Sequence, residues 1–107
     1  MQYYKYESIL SSSFYLLSRE TSKRLFFRSL KPNVQEDEYE YFDLNNPIID
    51  TDLSEHKFLK SKCRMTPLEP HEIDLINNSI RYHYCYYYPI ENHIENHYRY
   101  YPIIKNV

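Results

Sequence analysis

A chain of 107 residues holds at most one domain, near the lower end of what an independent core can stabilise. It contains no glycine, alanine or tryptophan. This excludes a phosphate-cradling P-loop, a dinucleotide fingerprint and a nucleophile elbow, which all need glycine where backbone meets a ligand or turns at positive φ.

Its net charge of −2 and pI of about 6.2 lack the basic excess of a typical nucleic-acid binder. Fourteen tyrosines contribute much of the 42% hydrophobic content, so the wholly apolar core is thin. Each buried tyrosine ring also brings a hydroxyl that needs a partner.

Tyr6, Leu10, Phe14 and Leu17 step by four, four and three, with Ile9 beside them, and predict an amphipathic helix. Leu25, Phe26 and Leu30 continue the pattern until Lys31-Pro32 stops it. Residues 1–31 are therefore expected to form a basic amphipathic helical segment. Lys5, Arg19, Lys23, Arg24, Arg28 and Lys31 stand there against Glu7 and Glu20, a balance of +4. A solvated helix face accounts for this charge, and contact with RNA or an acidic neighbour is the functional alternative. The segment faintly resembles a mitochondrial presequence, but Glu7 and Glu20 argue against one.

The sign then reverses. Residues 32–56 carry Glu36, Asp37, Glu38, Glu40, Asp43, Asp50, Asp52 and Glu55 and no lysine or arginine, a balance of −8. Residues 32–51 read as an acidic extended strap that folds back on the basic segment or meets a basic partner. Asp50, Asp52 and Ser54 imitate a calcium loop, but Glu55 occupies its glycine position and Ser61 its last ligand position. Residues 52–79 are expected to hold two short helices. One is opened by Asp52 with Glu55 in capping-box spacing. The other is opened by Pro70, with Glu72 and Asp74 in its first turns and Ile73, Ile76 and Ile80 on one face.

Residues 80–107 hold eight of the tyrosines and three of the five histidines. Tyr82, Tyr84, Tyr86 and Tyr88 alternate with His83, Cys85 and Tyr87, which predicts an extended strand that Pro89 ends. A second extended piece follows at Tyr98, Tyr100 and Tyr101. The tandem IENH at 90–93 and 94–97 reflects biased composition. The arm is expected to form a β-hairpin or to donate strands to a partner, with Tyr82, Tyr84, Tyr86, Tyr88, Tyr98, Tyr100 and Tyr101 as partner-binding residues. The expected fold class is thus mainly α with an extended, tyrosine-rich C-terminal arm, in a small subunit that does not fold autonomously.

Metal chemistry has only weak candidates. His83 and Cys85 share a strand face, and His93 and His97 would share a face if their segment were helical; Cys63 and His71 are the remaining donors. There is no CxxC, and surface histidines with small buried cysteines account for the same residues. A nucleophilic Cys85 lacks any evident oxyanion site. A Cys63–Cys85 disulfide would require an oxidising compartment. No enzyme activity and no cofactor are expected. The longest apolar or aromatic runs fall far short of a membrane span of about 20 residues.

Tyr, Ile, Asn, Lys and Phe, all spelled with A/T-rich codons, are abundant, while residues with G/C-rich codons are depleted. In this respect the chain resembles the short orphan proteins encoded by A/T-rich mitochondrial genomes, those of ciliates especially. The resemblance covers composition along the whole chain and no motif; a nuclear or viral A/T-rich genome gives the same signature. It implies a non-catalytic accessory subunit of a large mitochondrial assembly, foremost a respiratory-chain complex, on the matrix side or peripheral to the inner membrane. The alternatives are a mitochondrial ribosomal protein contacting rRNA through the basic segment and Arg81/Arg99, and a small zinc-binding module.

Overall fold

The computed structural model describes the backbone of residues 2–7, 12–88 and 93–102, and the side chains of residues 2–6 and 13–81. Among these the chain is mainly β, which overturns the mainly α expectation. The first three strands are β1 (Tyr3–Glu7), β2 (Ser12–Glu20) and β3 (Arg24–Lys31). They form an antiparallel meander in place of the helical segment expected over 1–31. Ile9 and Leu10 of the expected helical stripe lie outside the described residues.

The reason is burial on both faces. Phe14 is buried, and Tyr15, Leu16 and Leu17 are half-buried; Phe26 and Phe27 are both buried. A strand covered on both sides reads as a continuous apolar run, which periodicity alone cannot separate from a helix.

Two short strands follow, β4 (Val34–Gln35) and β5 (Tyr39–Tyr41), so the acidic strap folds into a hairpin. Next, β6 (Ile48–Ile49) and β7 (His56–Leu59) both pair antiparallel to the outer edge of β3. Between them the chain loops out at 50–55 before rejoining the same edge. The helix expected to begin at Asp52 is therefore absent. Phe58 and Leu59 lie in β7, followed by one 3-10 turn at Lys60–Lys62. The last short strand, β8 (Thr66–Pro67), borders β1. The larger sheet thus runs β6/β7-β3-β2-β1-β8.

The α-helix, α1 (Pro70–Asn77), forms where Pro70, Glu72 and Asp74 predict it, with Pro in its first turn. Its capping box is built from Glu69 and Glu72. The chain then enters β9 (Ser79–Tyr88) and β10 (His93–Pro102), which pair as a hairpin, one of the two alternatives for the C-terminal arm. With β5 and β4 they complete a second sheet, ordered β10-β9-β5-β4.

The main core lies between one face of the larger sheet, α1 and the start of the second sheet. Tyr3, Phe14, Leu30, Phe42, Leu44, Leu68 and Ile76 cluster there, with Leu16 and Ile73 packed against them. Two polar ties close it. The Tyr3 hydroxyl donates to the Leu44 carbonyl at 2.6 Å, and the Tyr41 hydroxyl donates to the Asn77 carbonyl at 2.8 Å. Burial holds both phenols above their ordinary ionisation range.

Turns are made without glycine. Asp43 accepts from the Asn45 backbone and the Asn46 amide, Asp50 accepts from the Asp52 backbone, and Thr21 accepts from the Arg24 backbone.

The Lys5 ammonium pairs with Glu72 and joins β1 to α1. This hydrogen bond, helped by the Glu69 backbone N–H, lowers the Glu72 carboxyl below its usual 4.5. A carboxyl depressed by folding contributes stability that is complete above the unfolded-state value and lost as pH falls through the folded-state value. In urea titrations, stability should decline below about pH 4.5, and Glu72→Gln should remove part of that decline. An unchanged acid limb in the variant would contradict the assignment.

Candidate functional site

Arg81 and Glu40 face one another across the β5–β9 ladder. Arg81 is 4% exposed. Its Nε donates to Glu40 Oε1 at 2.7 Å, and an Nη pairs with the same oxygen. Its Cζ lies 5.0 Å from the Phe14 ring centre and 5.1 Å from that of Phe42; those two rings meet edge to face at 4.9 Å. Phe14 belongs to the larger sheet, whereas Glu40 and Arg81 belong to the second. One cation therefore ties both sheets together and fixes the root of the hairpin. The sequence offers Arg81 as an rRNA contact in the ribosomal alternative; its buried pairing with Glu40 places it in the core instead.

Beyond this root the hairpin runs on alone. β5 pairs with β9 only at Tyr82 and Arg81, while β9 and β10 pair continuously from Ser79↔Pro102 to Tyr88↔His93. Among the described residues, no strand pairs with the outer edge of β10, or with β9 from His83 to Tyr88 on the side away from β10. An open edge presents backbone donors and acceptors to another strand.

Tyr82, Tyr84, Tyr86 and Tyr88 occupy successive alternate positions of β9, and Tyr98, Tyr100 and Tyr101 lie in β10. The side chains of all seven partner-binding candidates lie outside the described residues.

The same ladder places the weak metal candidates. His83 stands opposite Tyr98, Cys85 opposite Asn96, His97 opposite Tyr84 and His93 opposite Tyr88. Opposed residues share a face and successive ones alternate. The register therefore puts the positions of His83 and Cys85 on one face and those of His93 and His97 on the other. Their side chains lie outside the described residues. The segment around His93 and His97 is strand, so the helical condition for their sharing a helix face is not met. Cys63 is a half-buried free thiol. Among the described residues no group of three or more His, Cys, Asp or Glu side chains is placed to hold a metal ion.

A second feature lies on the opposite face of the larger sheet. Phe27 is fully buried there, with Tyr4 edge-on at 4.8 Å and Phe58 at 6.1 Å. Beside this cluster a cleft of about 270 Å³ is lined by Tyr6, Tyr15, His56, Phe58, Arg64 and Met65. The Tyr15 and His56 rings meet edge to face at 5.3 Å. Nothing local in the sequence marks this site: the capping-box spacing of Asp52 and Glu55 predicts a helix where β7 forms.

The basic and acidic segments also meet, as β structure instead of helix and strap. Glu55 pairs with Arg19 at 3.2 Å and accepts from the Ser18 hydroxyl at 2.8 Å; these bonds, Ser18 first, lower its carboxyl. Ser18 sits at the register shift of the β2–β3 ladder.

No protein-family model matches the chain, and no curated protein or solved structure matches it. The fold and its edges thus define the class of protein: a small antiparallel β protein with a projecting hairpin.

Removing one member of a buried ion pair leaves the other charge uncompensated, at a cost of about 3–5 kcal/mol. Glu40→Ala should therefore destabilise the chain in urea unfolding, by at most about that amount. The apolar double replacement Glu40→Leu/Arg81→Met should recover most of the loss. Equal losses in the single and double variants would show that the pair is not a coupled unit.

Proposed function

We propose that this chain is a non-catalytic structural subunit that bridges neighbours in a larger assembly through the open edges of its β9–β10 hairpin. The carrying observation is the mismatch between a ten-position ladder and the two positions at which β5 supports it. A two-stranded hairpin alone is marginally stable in water. Strands added by neighbours would complete it, with affinity coming from main-chain hydrogen bonds and specificity from side chains at alternate positions. Two open edges suit a bridge between two neighbours.

The A/T-rich composition supports a mitochondrial assembly. The acidic net charge, together with the commitment of Arg81 to Glu40, favours protein neighbours over rRNA. A respiratory-chain complex is the assembly proposed, with the chain at the matrix side or peripheral to the inner membrane. Among the described residues no helix is long and apolar enough to cross a membrane.

Native separation of mitochondrial complexes after nuclease treatment, with detection of peptides around Phe58, tests this reading. Comigration with respiratory-complex subunits, unaffected by nuclease, is the expected result. Tyr98→Lys, an edge substitution of the kind that blocks strand addition, should release the chain from the complex while its far-UV circular dichroism stays unchanged. Nuclease-sensitive migration with ribosomal particles would overturn the reading, as would migration of the parent chain as a free monomer.

A further inference from the structure

We propose that the cleft beside β7 is a binding site for a small planar ring that carries an anionic group, a phosphate or a carboxylate. Its walls suit a flat ring. Tyr6, Tyr15 and Phe58 supply aromatic surface, and the buried Met65 adds a soft apolar one. At about 270 Å³ it falls just below the usual range of roughly 300–1,000 Å³ for drug-sized ligands, which leaves room for one ring system and one charged substituent.

The charge of the site follows from its polar groups. Tyr6, Tyr15, His56 and Arg64 all line it, and none of their side chains has a hydrogen-bond or ion-pair partner among the described residues. A guanidinium only donates, tyrosine hydroxyls donate as well as accept, and neutral imidazole offers one donor. No carboxylate lines the cleft among the described residues. A donor-rich, cationic rim over an aromatic lining complements an anion attached to a ring. Arginine suits it best, because its fork matches two oxygens of a phosphate or carboxylate at once.

Arg64 differs from Arg19 in its partners. Arg19 stacks over Phe26 at 3.9 Å and pairs with Glu55, whereas Arg64 has aromatic neighbours in the cleft and no described counter-ion. The site lies on the larger sheet, away from the hairpin edges, so its occupancy does not require assembly.

Isothermal titration of the full chain tests the proposal with adenosine monophosphate, adenosine, ribose 5-phosphate and 4-hydroxybenzoate as probes. One ring-bearing anion should bind with one-to-one stoichiometry. Tighter binding of adenosine monophosphate assigns a phosphate ester as the ligand source, and tighter binding of 4-hydroxybenzoate assigns an aromatic acid. If the nucleotide binds, adenosine and ribose 5-phosphate should each be weaker by roughly tenfold, because each lacks one half of the recognised chemistry.

Arg64 is exposed, so Arg64→Gln should keep the far-UV spectrum while lowering affinity for the preferred anion by roughly tenfold. Tyr15→Leu should weaken the preferred anion through loss of its ring surface; a spectrum matching the parent checks its fold. Failure of both ring-bearing anions to bind at millimolar concentration would overturn the proposal. So would equal affinity in the parent and a folded Arg64→Gln variant.

Discussion

The structure depends on one buried cation. Arg81 lies beside the edge-to-face Phe14 and Phe42 rings with its charge answered by Glu40, at the place where the two sheets meet. Burial of a charge is tolerated only when it is paired and hydrogen-bonded, so the guanidinium restricts the positions β5 and β9 can take. The Tyr39↔Tyr82 and Glu40↔Arg81 register follows. A slip of one residue would turn Arg81 away from Glu40 and reverse the faces of every residue in β9. Such a pair contributes little net stability against an apolar replacement; its consequence here is geometric. It holds one end of a long hairpin and leaves the rest projecting from the sheet.

The absence of glycine shapes the remainder. A β protein needs tight turns, and these commonly use glycine at positive φ. Here polar side chains bond to backbone instead, within the turns at Thr21, Asp43 and Asp50 and between distant segments at Asn33 and Asn77. Asn33 bridges the Asp43 backbone and the Asn46 carbonyl, and Asn77 accepts from the Leu44 backbone at 2.6 Å. Tyrosine fills volume in an apolar-poor chain and finds carbonyl partners for its hydroxyl, as Tyr3 and Tyr41 show. The same composition that limits the core therefore also supplies its ties.

How much of this was legible varied with burial. The tyrosine alternation in β9 and the Pro70 helix start were readable, because each has a local signal: period two in one case, a proline and first-turn acids in the other. Residues 12–31 misled because Phe14–Leu17 and Leu25–Phe27 are covered on both faces, and Tyr6, Phe14 and Leu17 happen to fall at helical spacing. Asp52 and Glu55 have capping-box spacing, yet the pairing of β7 with β3 outweighs that local preference. Arg81 looked available to RNA because its partner Glu40 is forty-one residues away in the chain. The aromatic cleft gathers residues from β1, β2, β7 and the segment after the 3-10 turn, a grouping that only the sheet topology creates.

Two surfaces with different chemistry result. The hairpin offers main-chain hydrogen bonds along open edges; the cleft offers rings and an arginine to a small anion. On the proposed reading, β10 is an edge completed by a neighbour. Amide hydrogen exchange along His93–Pro102, compared between the isolated chain and the assembly, tests this most directly. In the isolated chain, the amides directed toward β9 should be protected and the alternate, outward-directed ones should exchange rapidly; both sets should be protected in the assembly. An outward set that exchanges equally fast in both states would contradict the claim.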